Sequence, residues 1–154
     1  MKIEDSMTTG FSKPLWQQKL DTFIQNKLVD PASPHRKRWV ERDQEYNNTH
    51  TRCIMEILRH EFGQLGKLSV LDVGCGGGLD AINLARAGAI VTGVDISPEL
   101  IEIAQLRAAS ENLDVNFLTL DRLNGSYLPE SYDVAIAVDV LEHVEKPMEL
   151  ITLC

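Results

Sequence analysis

Apolar residues recur at helical spacing over much of the first 65 positions of the chain. From about Ser12 to Leu28 they return every three or four residues, which predicts an amphipathic helix. Two prolines then predict a loop, and a second helical region begins near Arg36. After the polar stretch 45–51 a further helical stripe follows, made of Ile54, Ile57, Leu58 and Phe62. Residues 1–65 are therefore predicted to form an N-terminal tail and a helical cap.

The pattern changes at residue 68, where short apolar runs begin to alternate with helical stretches. Four runs are rich in strand-forming residues: 68–73, 89–96, 115–120 and 131–140. Ser97 and Pro98 predict a helix start, as an N-cap and a first helical residue. Strands that alternate with helices indicate an α/β fold with a doubly wound parallel sheet, covered on both faces. We expect this second domain to occupy residues 66–154.

The composition is that of a globular chain with an acidic balance. Of the 154 residues, 44% are hydrophobic, and the formal net charge is −8. A broad nucleic-acid interface needs a basic surface, so this charge argues against nucleic acid as a partner. The apolar runs are shorter than the roughly 18 residues of a spanning helix, and the first residues lack the apolar segment of a signal peptide.

The three cysteines, Cys53, Cys75 and Cys154, show no CxxC spacing. Their odd number disfavours a disulfide framework, and neither they nor the carboxylates form a pattern that indicates a metal site. A reducing, cytoplasmic setting fits them best. Cys75 lies among the glycines, where we expect a small side chain that fits a tight turn rather than a nucleophile.

Four glycines lie within five positions, directly after the first predicted strand. They form the pattern G-x-G-G-G from Gly74 to Gly78, where a dinucleotide fingerprint would need its third glycine at Leu79. In a parallel sheet, ligands bind beyond the carboxyl ends of the strands, which is where this loop belongs. Asp95 ends the second predicted strand, 21 residues after Gly74, and its carboxylate can accept both hydroxyl hydrogens of a ribose. A glycine loop with a ribose-binding carboxylate fits any cofactor that contains adenosine.

Four segments of the chain together resemble a known family, the class I S-adenosylmethionine-dependent methyltransferases. They are VLDVGCGGG (70–78), VTGVDIS (91–97), the pair Asp121-Arg122 and SYDVAIAVDVLEHV (131–144). The last segment is most similar to ubiquinone-biosynthesis O-methyltransferases and related enzymes that act on small molecules. The resemblance covers about residues 50–150. It implies a Rossmann-like domain, S-adenosylmethionine as the cofactor and a small-molecule methyl acceptor, with methyl transfer to a hydroxyl oxygen.

The resemblance also implies cofactor contacts at the first strand and its loop. Asp72 would anchor the loop near the amino group of the cofactor, although it could instead merely cap the loop. Gly74, Cys75 and Gly76 would line the methionine part. Arg52, on the helix before the first strand, would contact the carboxylate of the cofactor, although an arginine at such a position is more often simply a surface residue.

Further contacts are implied beyond the second, third and fourth strands. Asp95 would hold the ribose hydroxyls, and Ile96 would pack on the adenine. Asp121 would face the adenine amino group with the Arg122 backbone nearby, although Asp121 could also be an ordinary turn residue. Val138 would contact the methionine end of the cofactor.

Methyl transfer from a sulfonium is an in-line displacement, so the main task of the enzyme is to orient the reactants. A hydroxyl acceptor also needs a base. His143 and Glu142 follow the fourth predicted strand on the ligand side, and they are the catalytic candidates. The alternative is that His143 simply packs at the start of the next helix.

The chain departs from the family pattern at its C-terminus. The resemblance implies seven strands, and we identify only four, so we expect a fragment or truncated form that lacks much of the substrate pocket. The exposed edge of the fourth strand would then favour self-association into a homo-oligomer. Three functions remain open: a methyltransferase or its cofactor-binding part, a non-catalytic S-adenosylmethionine-binding or interaction module, and an NAD-dependent oxidoreductase.

Overall fold

One parallel sheet forms the centre of the molecule in the computed structural model, which describes residues 15–23, 35–120 and 131–153. Its strands are β1 (Ser69–Val73), β2 (Ile90–Asp95), β3 (Asn116–Thr119) and β4 (Val134–Ile136), in the spatial order β3-β2-β1-β4. All three strand pairs are parallel. The chain therefore builds the sheet outward from β1 to β3 and then returns to the other side of β1. The predicted α/β fold with a doubly wound parallel sheet is confirmed.

The helices lie before, between and after the strands. They are α1 (Leu15–Phe23), α2 (His35–Phe62), α3 (Leu79–Arg86), α4 (Pro98–Ser110) and α5 (Pro147–Leu153). The Ser97 side chain caps α4 by accepting a hydrogen bond from Leu100 N at 3.3 Å, as the Ser97–Pro98 pair predicts. Within the described ranges, none of the helices combines the length and the apolar character that crossing a membrane requires.

Helix α2 differs from its prediction in two ways. The polar stretch 45–51 does not interrupt it, because that stretch contains no glycine or proline and so leaves the helical backbone intact. The apolar stripe is also narrower than predicted. Ile57 and Phe62 are exposed, while Leu58 is buried in the same core cluster as the sheet.

The two faces of the sheet bury separate clusters of apolar side chains. On one face Val70, Val91 and Phe117 pack with residues of α2, α3 and α4. On the other face Leu71 and Val94 pack with residues that follow β4 and with α5. Alternate residues of β1 therefore enter opposite clusters, and burial on both faces explains why the strands are nearly continuous apolar runs.

Strand β4 is shorter than the predicted run 131–140. It pairs with β1 from Val134 to Ile136 and then leaves the sheet. Asp139 adopts a left-handed backbone with φ of +52°, and a 3₁₀ turn follows at Leu141–His143. The apolar residues after Ile136 pack into the second core cluster, so their hydrophobicity reflects burial rather than an extended strand. The described apolar edge is correspondingly short.

Candidate functional site

The glycine loop between β1 and α3 wraps over the end of β2. The backbone N–H groups of Gly74 and Cys75 both donate to the carbonyl oxygen of Val94, at 2.7 and 3.0 Å. Gly74, Gly76 and Gly78 all have a positive φ, which other residues rarely adopt. The glycines therefore allow three left-handed residues in one short turn at the carboxyl edge of the sheet.

Close neighbours add a second requirement for glycine at two of these positions. A Cβ atom on Gly74 would lie 2.2 Å from a methyl carbon of Val140, after β4. A Cβ atom on Gly78 would lie 2.7 Å from the ring of Phe117 and 2.8 Å from the Cβ of Ala104. The loop is thus packed against Phe117 of β3 and Ala104 of α4, and also against Val140 in the segment after β4.

Asp95 ends β2 and joins the glycine loop to the start of α4. Its Oδ2 accepts a hydrogen bond from Gly76 N at 2.9 Å, and its Oδ1 accepts one from Ser97 N at 2.8 Å. Each carboxylate oxygen has a second acceptor site, so the group can still receive two further hydrogen bonds. Ile96, next in the chain, is 80% exposed and presents an apolar surface beside this carboxylate.

Asp72 is buried in β1, and within the described part of the chain its Oδ2 atom has no hydrogen-bond partner. Burial raises the pKa of this carboxyl group to about 8, and the nearby carboxylates of Asp80 and Asp95 add to the increase. A hydrogen bond from the backbone of Ala81 acts in the opposite direction. Asp72 is therefore mostly protonated at neutral pH, and it lies in β1 two residues before the glycine loop.

A further set of polar residues next to the loop was missed from the sequence. Asp80, in the first turn of α3, accepts a hydrogen bond from the hydroxyl of Thr51 on α2. Burial is the main reason why the pKa of Asp80 is raised. His50, one residue earlier on α2, lies 3.8 Å from Asp139. Asp80 could have been suspected from its place just after the glycines, but Thr51 lies 29 residues away in the chain.

The remaining candidate residues differ in how far their side chains are exposed. The Arg52 side chain is exposed and lies 3.9 Å from Glu56, one turn further along α2. Val138 is half-buried between β4 and the 3₁₀ turn. Cys75 is a free, half-buried thiol, and burial raises its pKa, so it stays protonated at neutral pH. Asp121 and Arg122 lie outside the described residues.

The two catalytic candidates lie in the 3₁₀ turn that follows β4. The side chains of Glu142 and His143 are 56% and 75% exposed, and His143 Nε2 lies 3.9 Å from Glu142 Oε1. Their exposure leaves both side chains accessible to a ligand or to water. The structure therefore groups Asp72, Gly74, Gly76 and Asp95 tightly, and it leaves Arg52, Glu142 and His143 on the surface.

Comparisons with known proteins agree on one family. A family model described as a methyltransferase domain matches residues 70–153. The chain is 34% identical over 142 residues to a ubiquinone biosynthesis O-methyltransferase of Vibrio atlanticus, covering 89% of this chain and 57% of that protein. It is 36% identical over 121 residues to the protein of the same name from Rickettsia typhi, covering 73% of this chain and 48% of that protein. The chain thus spans about half the length of these relatives.

A solved structure shows the same architecture. The magnesium protoporphyrin IX methyltransferase of Synechocystis PCC 6803, crystallised with bound SAM, superimposes with a TM-score of 0.65 at 27% sequence identity. The similarity covers 90% of this chain and 69% of that chain.

Proposed function

This chain belongs to the methyltransferase domain family, and from that premise we propose that it binds S-adenosylmethionine at the glycine loop. It would supply the cofactor-binding part of an enzyme that transfers a methyl group to a small molecule. Relatives named ubiquinone biosynthesis O-methyltransferase favour a hydroxyl oxygen as the acceptor atom.

The geometry of Asp95 is the observation that carries this proposal. Its carboxylate ends β2 and is held by Gly76 N and Ser97 N, so its two oxygens point to the same edge as the loop. Two acceptor sites remain for adjacent hydroxyl groups, which is what a ribose presents. Ile96, 80% exposed next to it, would pack on the adenine ring. Val138, Asp121 and Arg122 stay predictions as further contacts.

The buried carboxyl of Asp72 fits the amino end of the same cofactor. Its Oδ2 atom lacks a partner within the described residues, and an uncompensated buried polar atom is costly. A cationic amino group bound above Gly74 would supply the missing donor and stabilise the ionised carboxylate. Cys75 and Gly76 would line this end of the site through their backbone. Arg52 also stays a prediction, because its side chain is exposed on α2.

The reaction makes modest chemical demands on the protein. When bound, S-adenosylmethionine supplies an electrophilic methyl group on a sulfonium. The protein's own residues must hold the acceptor in line and exclude water, which is an orientation effect. His143 or Glu142 would remove the hydroxyl proton as a general base, since both are accessible beyond β4.

Two other functions make different predictions about binding. A non-catalytic S-adenosylmethionine-binding module would bind the cofactor without transferring a methyl group. An NAD-dependent oxidoreductase would bind NAD at the same loop, but Leu79 replaces the third glycine of the dinucleotide fingerprint.

We also propose that the protein is located in the cytoplasm. The free thiols of Cys53 and Cys75 support this location, because a reducing compartment keeps cysteines unpaired. Self-association through the open edge of β4 is a further prediction.

Calorimetry with S-adenosylhomocysteine tests the proposal directly. We expect the chain to bind it and Asp95→Asn to weaken binding by roughly tenfold or more, because one charge-assisted acceptor is lost. Asp114→Asn, which removes an exposed carboxylate at the amino end of β3, should bind as the unmodified chain does. NAD should not bind.

Three outcomes would contradict the proposal in different ways. Binding of NAD in place of S-adenosylhomocysteine would favour the oxidoreductase. Equal weakening by Asp95→Asn and Asp114→Asn would remove the assigned role of Asp95. Absence of binding by a chain that unfolds cooperatively would show that these residues do not form a working cofactor site. Thermal unfolding of each variant keeps a folding defect distinct from a binding defect.

A further inference from the structure

A basic groove lies between α2 and α3, apart from the glycine loop. Arg52, Met55 and Arg59 face it from α2 at positions i, i+3 and i+7, which share one side of a helix. Asn83 and Arg86 face it from α3. The groove is open to water and has a volume of about 480 Å³, within the range of small-molecule sites. Three guanidinium groups thus line one concave surface of a chain whose net charge is −8.

The arginine on α3 is held in place by its neighbours. Its Nε and Nη2 atoms donate to the two carboxylate oxygens of Glu111 at 2.7 and 2.6 Å, and its Nη1 donates to Asn83 Oδ1. A guanidinium has five N–H donors, so Arg86 keeps donors that these contacts do not use. Asn83 in turn donates from Nδ2 to Thr51 Oγ1 at 3.3 Å, which ties α3 to α2. The groove therefore has a preorganised wall.

The arginines on α2 are held less firmly. Arg52 lies 3.9 Å from Glu56, beyond the distance of a good hydrogen bond. Within the part of the chain that the structure describes, no hydrogen bond or ion pair engages the guanidinium of Arg59. Two exposed cationic side chains on α2 therefore face the hydrogen-bonded guanidinium of Arg86, and an anion between them would accept hydrogen bonds from both helices.

We propose that the groove between α2 and α3 binds the phosphate group of a small molecule, with Arg59 and Arg86 as its main ligands. A phosphate dianion offers three acceptor oxygens, and arginine recognises such groups with paired N–H donors. The Asn83 amide would complete the contacts. Arg52 also faces the groove and is a predicted contact of the cofactor carboxylate, but Arg59 and Arg86 are not, so the phosphate site does not depend on the cofactor site. Because the groove is open to water, we expect a dissociation constant on the order of 1 mM.

Calorimetric titration of the whole chain with inorganic phosphate and with glycerol 3-phosphate tests this site, with glycerol as the uncharged control. Saturable binding should weaken by roughly tenfold or more in Arg59→Gln, since a charge-assisted contact is lost. Arg59→Lys keeps the charge but loses the planar fork, so its affinity should fall between the two. Lys146→Gln, at the start of α5 on the opposite face of the sheet, should leave binding unchanged. Binding of only one of the two anions identifies free phosphate or a phosphate ester as the ligand.

Competition distinguishes this groove from the glycine loop, which also presents backbone N–H groups. Bound phosphate should remain when S-adenosylhomocysteine is added, and Arg59→Gln should bind S-adenosylhomocysteine as before. Displacement of phosphate by S-adenosylhomocysteine would place the anion at the glycine loop and overturn the proposal. Absence of saturable binding in the millimolar range, or equal affinity in Arg59→Gln, would overturn it as well.

Discussion

Replacing Gly78 with alanine is expected to lower the free energy of unfolding by about 2–5 kcal/mol, a large share of the stability of a domain. Gly78 has a φ of +77°, and a left-handed backbone costs an alanine about 1–2 kcal/mol. The added Cβ would also lie 2.7 Å from the Phe117 ring and 2.8 Å from Ala104 Cβ. Phe117 is buried, so neither neighbour can move without a cost of about 1–3 kcal/mol.

The adjacent glycine provides a matched control. A Cβ atom on Gly77 would meet only Ile103, at 3.7 Å, which is an ordinary contact, and Gly77 does not require a positive φ. Gly77→Ala should therefore change stability by less than about 1 kcal/mol. Urea unfolding of both variants measures the difference. Similar midpoints for the two variants would show that Gly78 is not constrained by Phe117 and Ala104.

Asp72→Asn is expected to stabilise the unliganded chain at pH 8 by about 1–5 kcal/mol, since it removes the cost of ionising Asp72 and adds a smaller cost of burying an amide. The Asp72 carboxyl is buried, its Oδ2 has no partner within the described residues, and its pKa is raised from an ordinary value of 3.8 to about 8. Between these two values the folded chain holds a proton that the unfolded chain releases. The free energy of unfolding therefore falls as pH rises from about 4 to 8, by up to about 1.4 kcal/mol per pH unit. Asparagine is neutral throughout and removes this dependence.

Urea unfolding from pH 5 to pH 8 measures this linkage. The advantage of Asp72→Asn over the unmodified chain should grow with pH across the range. Asp114→Asn, at an exposed position, is the control for a change in net charge alone. An advantage that stays constant with pH would mean that Asp72 does not hold the linked proton. The same variant should weaken S-adenosylhomocysteine binding if Asp72 receives the amino group of the ligand.

The order of elements and the place of the loop could be predicted from local patterns. Strand and helix periodicities differ, so alternating apolar runs indicated a parallel sheet without any knowledge of contacts. The carboxyl ends of parallel strands share one edge, so Asp95 could be expected beside the glycines. The structure shows them joined by a hydrogen bond from Gly76 N to Asp95.

Other features depended on contacts between distant residues. The run 131–140 is largely apolar, yet only Val134–Ile136 forms a strand, and apolar residues after it pack against the second core cluster instead. Val140 approaches Gly74 only because β4 lies next to β1, across more than sixty residues of chain. The contact between Thr51 and Asp80 likewise requires α2 to pack on α3.

The sequence by itself therefore determined the fold class, the succession of strands and helices and the glycine turn with its paired carboxylate. These follow from backbone periodicity and from the conformations that glycine alone adopts readily. Only the tertiary structure decided which polar atoms are buried without partners, which glycines are confined by neighbours and which arginines share a groove. Burial and long-range contacts depend on how the elements pack, and the local pattern of a chain does not encode that packing.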